Sequence, residues 1–173
     1  DFGRAEQTLK DAIKIDPNST KAHYALGDFY RRTGKTDLAL AEFVEVTRIT
    51  PQDPSAYINL GNLYVSLNQL AEAELRFQKG IEIDPKRIPS YLHLGDFYLA
   101  TGKKEKAIEI YQKAIEVDSK NITARAKIAE IYINDKKYEE ASKTIGKIID
   151  INPKSHEGMF LKGRMHLVKG EFN

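Results

Sequence analysis

Residues 54–87 read PSAYINLGNLYVSLNQLAEAELRFQKGIEIDPKR, and this stretch decides the fold. Tyr57, Leu60, Gly61 and Tyr64 are spaced i, i+3, i+4 and i+7, which puts them on one face of a helix. Asp53 ahead of them is an N-cap residue, and Pro54 suits the first helical position, where the missing N–H costs nothing. A second helical pattern follows with Ala73 and Phe77 on its inner face, and Pro85 closes it. One stretch therefore predicts two helices joined by a short turn.

The same marks recur in both directions at one fixed period. Pro17, Pro51, Pro85 and Pro153 share one lattice, with Ser119 at the remaining node. Leu26-Gly27, Leu60-Gly61 and Leu94-Gly95 form a second, continued by Ile128-Ala129. Tyr30, Tyr64, Tyr98 and Tyr132 form a third, and Ala5, Ala39, Ala73, Ala107 and Ala141 a fourth. Independent series that share one period mark an internal repeat. A glycine inside a helix costs about 1 kcal/mol against alanine. Its return at 27, 61 and 95 predicts a close approach of the following helix. Thr33-Gly34 and Thr101-Gly102 predict helix ends that need a positive φ.

The pattern of an aromatic, Leu-Gly, Tyr, Ala, an aromatic and Pro over about 34 residues resembles the tetratricopeptide repeat. The third unit carries it as Tyr91, Leu94, Gly95, Tyr98, Ala107 and Tyr111. The first departs at His23, where a large aromatic is usual. The fourth departs at Arg125 and Ile145. The resemblance covers the whole chain. It implies an all-α right-handed α-solenoid of antiparallel helix-turn-helix hairpins. It frames 1–173 as a single array: 1–19 the second helix of a partial repeat, full repeats at 20–53, 54–87, 88–121 and 122–155, and 156–173 the first helix of another partial repeat. On that frame the chain is expected to be a piece of a longer array. Phe2, Leu9 and Ile13 at one end and Met159, Phe160 and Leu167 at the other would lack part of their cover. The two partial repeats are complementary halves, so copies are expected to be able to stack head to tail.

Composition limits the chemistry. The 173 residues hold 27 Lys+Arg against 25 Asp+Glu, a net charge of +2. Residues 1–87 carry 12 basic and 13 acidic side chains, and residues 88–173 carry 15 and 12. Neither half has the basic excess that would point to nucleic acid or an anionic membrane. There is no cysteine, which excludes disulfides, thiolate metal sites and cysteine nucleophiles. No apolar run approaches the ~18 residues of a membrane span. No targeting signal is present in the stretch, and its compartment, cytoplasmic or periplasmic, is not legible. His23, His93, His156 and His166 occupy four different repeat positions and form no metal-binding pattern. No phosphate-binding glycine loop or nucleophile elbow occurs. Asn18-Ser19-Thr20 and Asn121-Ile122-Thr123 match a glycosylation triplet but read as helix caps. No catalytic residue, metal or cofactor is expected.

The resemblance also implies which face binds. The first helices of the hairpins line a concave groove. One mostly apolar track of that groove would hold Tyr24, Ile58 and Leu92. A second would hold Arg31, Val65, Leu99 and Ile133. Between them runs a polar line of Asp28, Asn62, Asp96 and Glu130. Apolar tracks around a polar line suit a peptide or helical segment of a partner. If Ile58 and Leu92 are exposed anchors, charging both should abolish binding without unfolding. Chaperone-binding members of the family use a two-carboxylate clamp. In one register its places hold Tyr24, Asp28, Asn59, Pro89 and His93, of which only Asn59 matches; shifted by one repeat, only Asn62 and Lys127 match. This argues against chaperone C-terminal tails as ligands. The expected function is a non-catalytic protein-interaction scaffold. The alternatives are a substrate-recruiting arm of a larger enzyme and an assembly scaffold of a bacterial envelope or secretion system.

Overall fold

The computed structural model describes residues 1–170. The last three residues of the partial repeat framed at 156–173, Glu171, Phe172 and Asn173, lie outside the described residues. Among the described residues ten helices follow one another: α1 Phe2–Ile15, α2 Thr20–Arg32, α3 Thr36–Ile49, α4 Pro54–Ser66, α5 Leu70–Ile83, α6 Ile88–Ala100, α7 Lys104–Val117, α8 Ile122–Asn134, α9 Tyr138–Ile151 and α10 His156–Lys169. The fold class is all-α, built from helical hairpins of the solenoid type. The chain divides into two units, Asp1–Pro85 with α1 to α5 and Lys86 onward with α6 to α10.

Within each hairpin the turn has one geometry. The amide of Lys35 donates to the Tyr30 carbonyl at 2.9 Å, and Gln69 to Tyr64, Lys103 to Tyr98 and Lys137 to Tyr132 repeat it at 2.8 to 2.9 Å. The residue before that amide is left-handed every time. Gly34 and Gly102 have φ of 74° and 76°, as their sequence context predicts. Asn68 and Lys136 hold φ of 57° and 59° at the equivalent places. Asparagine tolerates that region through its short polar side chain, whereas lysine meets a steric cost. Position in the hairpin thus overrides residue preference at Lys136.

Helix α7 shows that the second helix of a hairpin can end without proline. Helix α7 ends at Val117 with Ser119 at the proline node, just as α1 and α9 end two residues ahead of Pro17 and Pro153. The device that these three ends share is an Asx turn. Asp16, Asp118 and Asn152 all leave the helix in extended conformation. Their side-chain oxygens accept from the amides of Asn18, Lys120 and Lys154 at 3.0 to 3.1 Å. A side chain that satisfies the next free amide competes with helix continuation, with or without proline. The triplet residues cap the following helices: Ser19 Oγ accepts from Ala22 and Asn121 Oδ1 from Ala124.

The hairpins close over glycine. A Cβ on Gly27 or Gly61 would meet the ring of Phe43 or Phe77 at 2.8 Å, and on Gly95 it would overlap the ring of Tyr111. In the fourth repeat Ala129 takes the glycine place and Ile145 takes the aromatic place; both are buried. An aliphatic chain leaves the room for a methyl that a ring does not, so the two departures compensate. Ala126, Ala129, Ile133, Ala141, Ile145, Ile148, Leu161 and Met165 make one core cluster of the second unit. In the first unit His23 fills the usual aromatic place. It is buried, and its ring nitrogens lie 2.6 Å from Glu42 Oε2 and 3.1 Å from the Pro17 carbonyl oxygen. A buried polar ring is tolerated there because both of its nitrogens have partners.

Candidate functional site

In the first unit α2 and α4 bring their polar side chains to one cavity of about 370 Å³. Tyr24, Asp28 and Arg31 come from successive turns of α2, and Asn59, Asn62 and Ser66 from α4. Phe43 of α3 and Leu63 complete the lining. The Tyr24 and Phe43 rings meet edge to face at 5.6 Å, which fixes the phenol. The Tyr24 hydroxyl is buried and makes no well-formed hydrogen bond, and the hydrogen-bonding influence that reaches it comes from the Asn59 side chain. Burial pushes its pKa up, and Asn59 opposes that rise in part. A buried hydroxyl without a well-formed bond costs about 1–3 kcal/mol. Asp28 pairs with Arg31 of its own helix, at 3.1 Å and largely exposed. Such a pair contributes about 0.3–0.5 kcal/mol and is easily exchanged for another partner. Four of the predicted site residues, Tyr24, Asp28, Arg31 and Asn62, therefore converge.

The structure places the other two predicted residues of this unit elsewhere. Ile58 is 4 % exposed and belongs to the core. It is no surface anchor, and a charge there would be buried. This corrects its expected role in the apolar track. Val65 is 37 % exposed and lies outside the cavity lining.

In the second unit the polar line is internally bonded. The Tyr111 hydroxyl donates to Asp96 Oδ1 at 2.6 Å, and Lys127 Nζ lies 2.9 Å from the same oxygen. Burial first, and then the bond to the Asp96 carboxylate, pushes the Tyr111 pKa well up. Glu130 pairs with Arg164 at 3.6 Å, and Arg164 also donates to Asn134 Oδ1 at 2.7 Å. Leu92 and Leu99 are half-buried. Ile133 is 1 % exposed and is part of the core cluster, which corrects its place in the second apolar track. Periodicity cannot separate a groove residue from a stacking residue when both lie on one helical face. The sequence reading also missed Tyr111 as a holder of Asp96. The available signal was a hydroxyl at a place where Phe43 and Phe77 carry none.

Among the described residues no group of three His, Asp or Glu side chains is placed to hold a metal ion, and no helix is long and apolar enough to cross a membrane.

A repeated helical hairpin, with glycine under an aromatic ring and a shared turn, defines a class of helical repeat proteins. Family models described as tetratricopeptide repeat match residues 1–60, 32–94, 88–121 and 122–155. The chain belongs to the tetratricopeptide repeat family. No curated protein matches it by sequence. Among solved structures, MamA is 27 % identical over 89 % of this chain and 90 % of its own, with a TM-score of 0.69. YrrB, described as a TPR protein with an unusual peptide-binding site, is 21 % identical over 94 % of this chain and 84 % of its own, with a TM-score of 0.66. PilF of Pseudomonas aeruginosa is 20 % identical over 98 % of this chain and 78 % of its own, with a TM-score of 0.69. These likenesses support the fold.

Proposed function

We propose that the chain is a non-catalytic protein-interaction scaffold that holds an extended segment of a partner against α2 and α4. The observation that carries this reading is the cavity into which Tyr24, Asp28, Asn59 and Asn62 converge from two helices. The two asparagine side chains offer donors and acceptors at the spacing of one helical turn. A peptide backbone presents donors and acceptors in alternation and can satisfy both amides. Asp28 can exchange Arg31 for a basic side chain of the ligand. Half-buried Leu92 and Leu99 offer apolar contacts on the second unit, considered by itself. Membership of a family of interaction modules supports a scaffold over an enzyme. The repeat frame proposed for this scaffold remains full units at 20–53, 54–87, 88–121 and 122–155 between partial repeats at 1–19 and 156–173.

The test uses the second unit as a guide. Lys127 stands to Asp96 as Asn59 stands to Asp28, at the same separation along the chain. Asn59→Lys should therefore tie Asp28 across the cavity and close it without touching the core. Proteins or library peptides retained by the native chain should be lost by Asn59→Lys and by Asn59→Ala/Asn62→Ala, with circular dichroism unchanged. Retention of the same ligands by all three chains would overturn the site.

A further inference from the structure

The fourth repeat differs from its neighbours at one place that the interaction face does not use. Arg125 stands where Tyr57 and Tyr91 stand in the second and third repeats. Tyr91 is buried there. At Arg125 a cleft of about 460 Å³ lies open between α7 and α9, with α8 as its floor. Ile115, Ile128 and Tyr132 supply its apolar lining, and Arg125, Lys143 and Lys147 its cations. Glu116 and Glu140 also line it. The guanidinium is anchored on one side, where Nη2 donates to the Ser119 carbonyl at 2.7 Å. Its Nε–H is buried and has no hydrogen-bond partner among the described residues. Glu139 and Lys143 have the i, i+4 order that favours a pair, and Glu140 lies three residues before Lys143. Lys143 and Lys147 nevertheless form no ion pair among the described residues, whereas Lys10 and Lys113 pair with the acids four residues before them.

We propose that this cleft binds the C-terminal residue of a partner chain, an aliphatic side chain beside a free carboxylate. The cations and the apolar lining lie within one small cavity, so the ligand must carry charge and hydrocarbon a few atoms apart. A terminal leucine or isoleucine does so on a single Cα, whereas an internal acidic residue carries its apolar neighbour on a different one. The carboxylate would be held by the ammonium groups of Lys143 and Lys147 beside the positive charge of the Arg125 guanidinium. Its side chain would lie on Ile115, Ile128 and Tyr132. The two glutamates set the polarity of the cleft against a second negative charge, which favours a neutral residue ahead of the terminal one.

The experiment is an isotope-edited NMR titration of the full chain with N-acetyl-Gly-Ser-Ala-Leu, its C-terminal amide, and N-acetylleucine. The free acid is expected to shift Ile115, Ile128 and Tyr132, with the amide about tenfold weaker. N-acetylleucine, which lacks the preceding residues, should bind more weakly than the tetrapeptide. Arg125→Tyr restores the side chain of the neighbouring repeats and is expected to fold and to abolish the shifts. Lys143→Gln/Lys147→Gln keeps the cleft open and is expected to weaken binding. Equal binding of acid and amide, no binding of either, or shifts that survive Arg125→Tyr would each overturn the proposal. Equal binding of N-acetylleucine would overturn the assignment to a chain terminus. Binding here is independent of Asn59 and Asn62, so Asn59→Lys should leave it intact.

Discussion

Asp28 in the first unit and Asp96 in the second occupy the same repeat position, two repeats apart, and their surroundings are opposite. Asp28 pairs with Arg31 of its own helix, at the edge of an open cavity. Asp96 is held by a tyrosine hydroxyl from α7 and an ammonium group from α8. The backbone frame is shared, and the difference comes from three residues, the first being Arg31, the partner of Asp28, whose place two repeats later holds Leu99. Phe43 becomes Tyr111 and Asn59 becomes Lys127 two repeats later. A repeat position therefore fixes where a carboxylate sits, while the neighbouring helices decide whether it is available to a ligand. A charged line read along a repeat overstates a binding surface wherever adjacent helices carry the opposite charge.

The sharpest way to break the comparison is through the core beneath each face. Ile58→Glu is expected to unfold the first unit, with a loss above about 4 kcal/mol, because a carboxylate would replace a buried side chain. Val65→Glu, two turns further along the same helix, should change stability by less than about 0.5 kcal/mol. Chemical denaturation followed by hydrogen exchange reads both, and equal effects would sink the assignment of Ile58 to the core.

Next in size is the bond that holds Asp96. Tyr111→Phe should cost about 1.5–3 kcal/mol, the range for a hydrogen bond to a charged group. Phe43→Tyr with Asn59→Lys should build the same arrangement around Asp28 and stabilise the first unit. A Tyr111→Phe chain as stable as the native one would show that the bond is not formed in solution.

A smaller effect lies in the turns. Lys136→Gly should stabilise the second unit by about 1 kcal/mol, since glycine adopts positive φ without the steric cost of a Cβ. Gly34→Lys in the first unit should lose a similar amount. Melting temperatures that move the other way would contradict the left-handed assignment of Lys136.

Acid separates the units further. Hydrogen bonds from Lys10 and then Lys35 hold the Glu6 carboxyl down from its ordinary 4.5 to about 2, and the Tyr30 hydroxyl donates to it as well. A carboxyl lowered on folding contributes stability that is present above its unfolded value and is lost as pH falls through the folded one. The contribution of Glu6 should thus disappear between about pH 4.5 and about pH 2. Glu6→Gln should flatten that part of the acid-unfolding curve for α1 to α3, read by exchange of their amides. An unchanged acid limb would remove Glu6 from the account.

Much of this molecule was legible in one dimension. The period, the helix pairs, the glycines beneath rings and the caps at Ser19, Asp53 and Asn121 are local or recur at fixed spacing, and local geometry is what a sequence states directly. Even the end of α7 without proline was readable from Asp118, once side-chain competition for the next amide is considered. The placing of Tyr24, Asp28, Arg31 and Asn62 on one face came from the family resemblance rather than from the period itself. Three things needed the tertiary structure. Ile58 and Ile133 proved buried, because neighbouring helices cover a face that periodicity marks only as apolar. Asp96 and Glu130 proved paired, because their partners Tyr111, Lys127 and Arg164 come from other helices well along the chain. The cleft at Arg125 is lined from three helices, and the arginine donates to the Ser119 carbonyl at a place where two other repeats carry tyrosine. Burial, pairing and void volume are sums over neighbours that are distant in the chain, and only the folded arrangement chooses those neighbours.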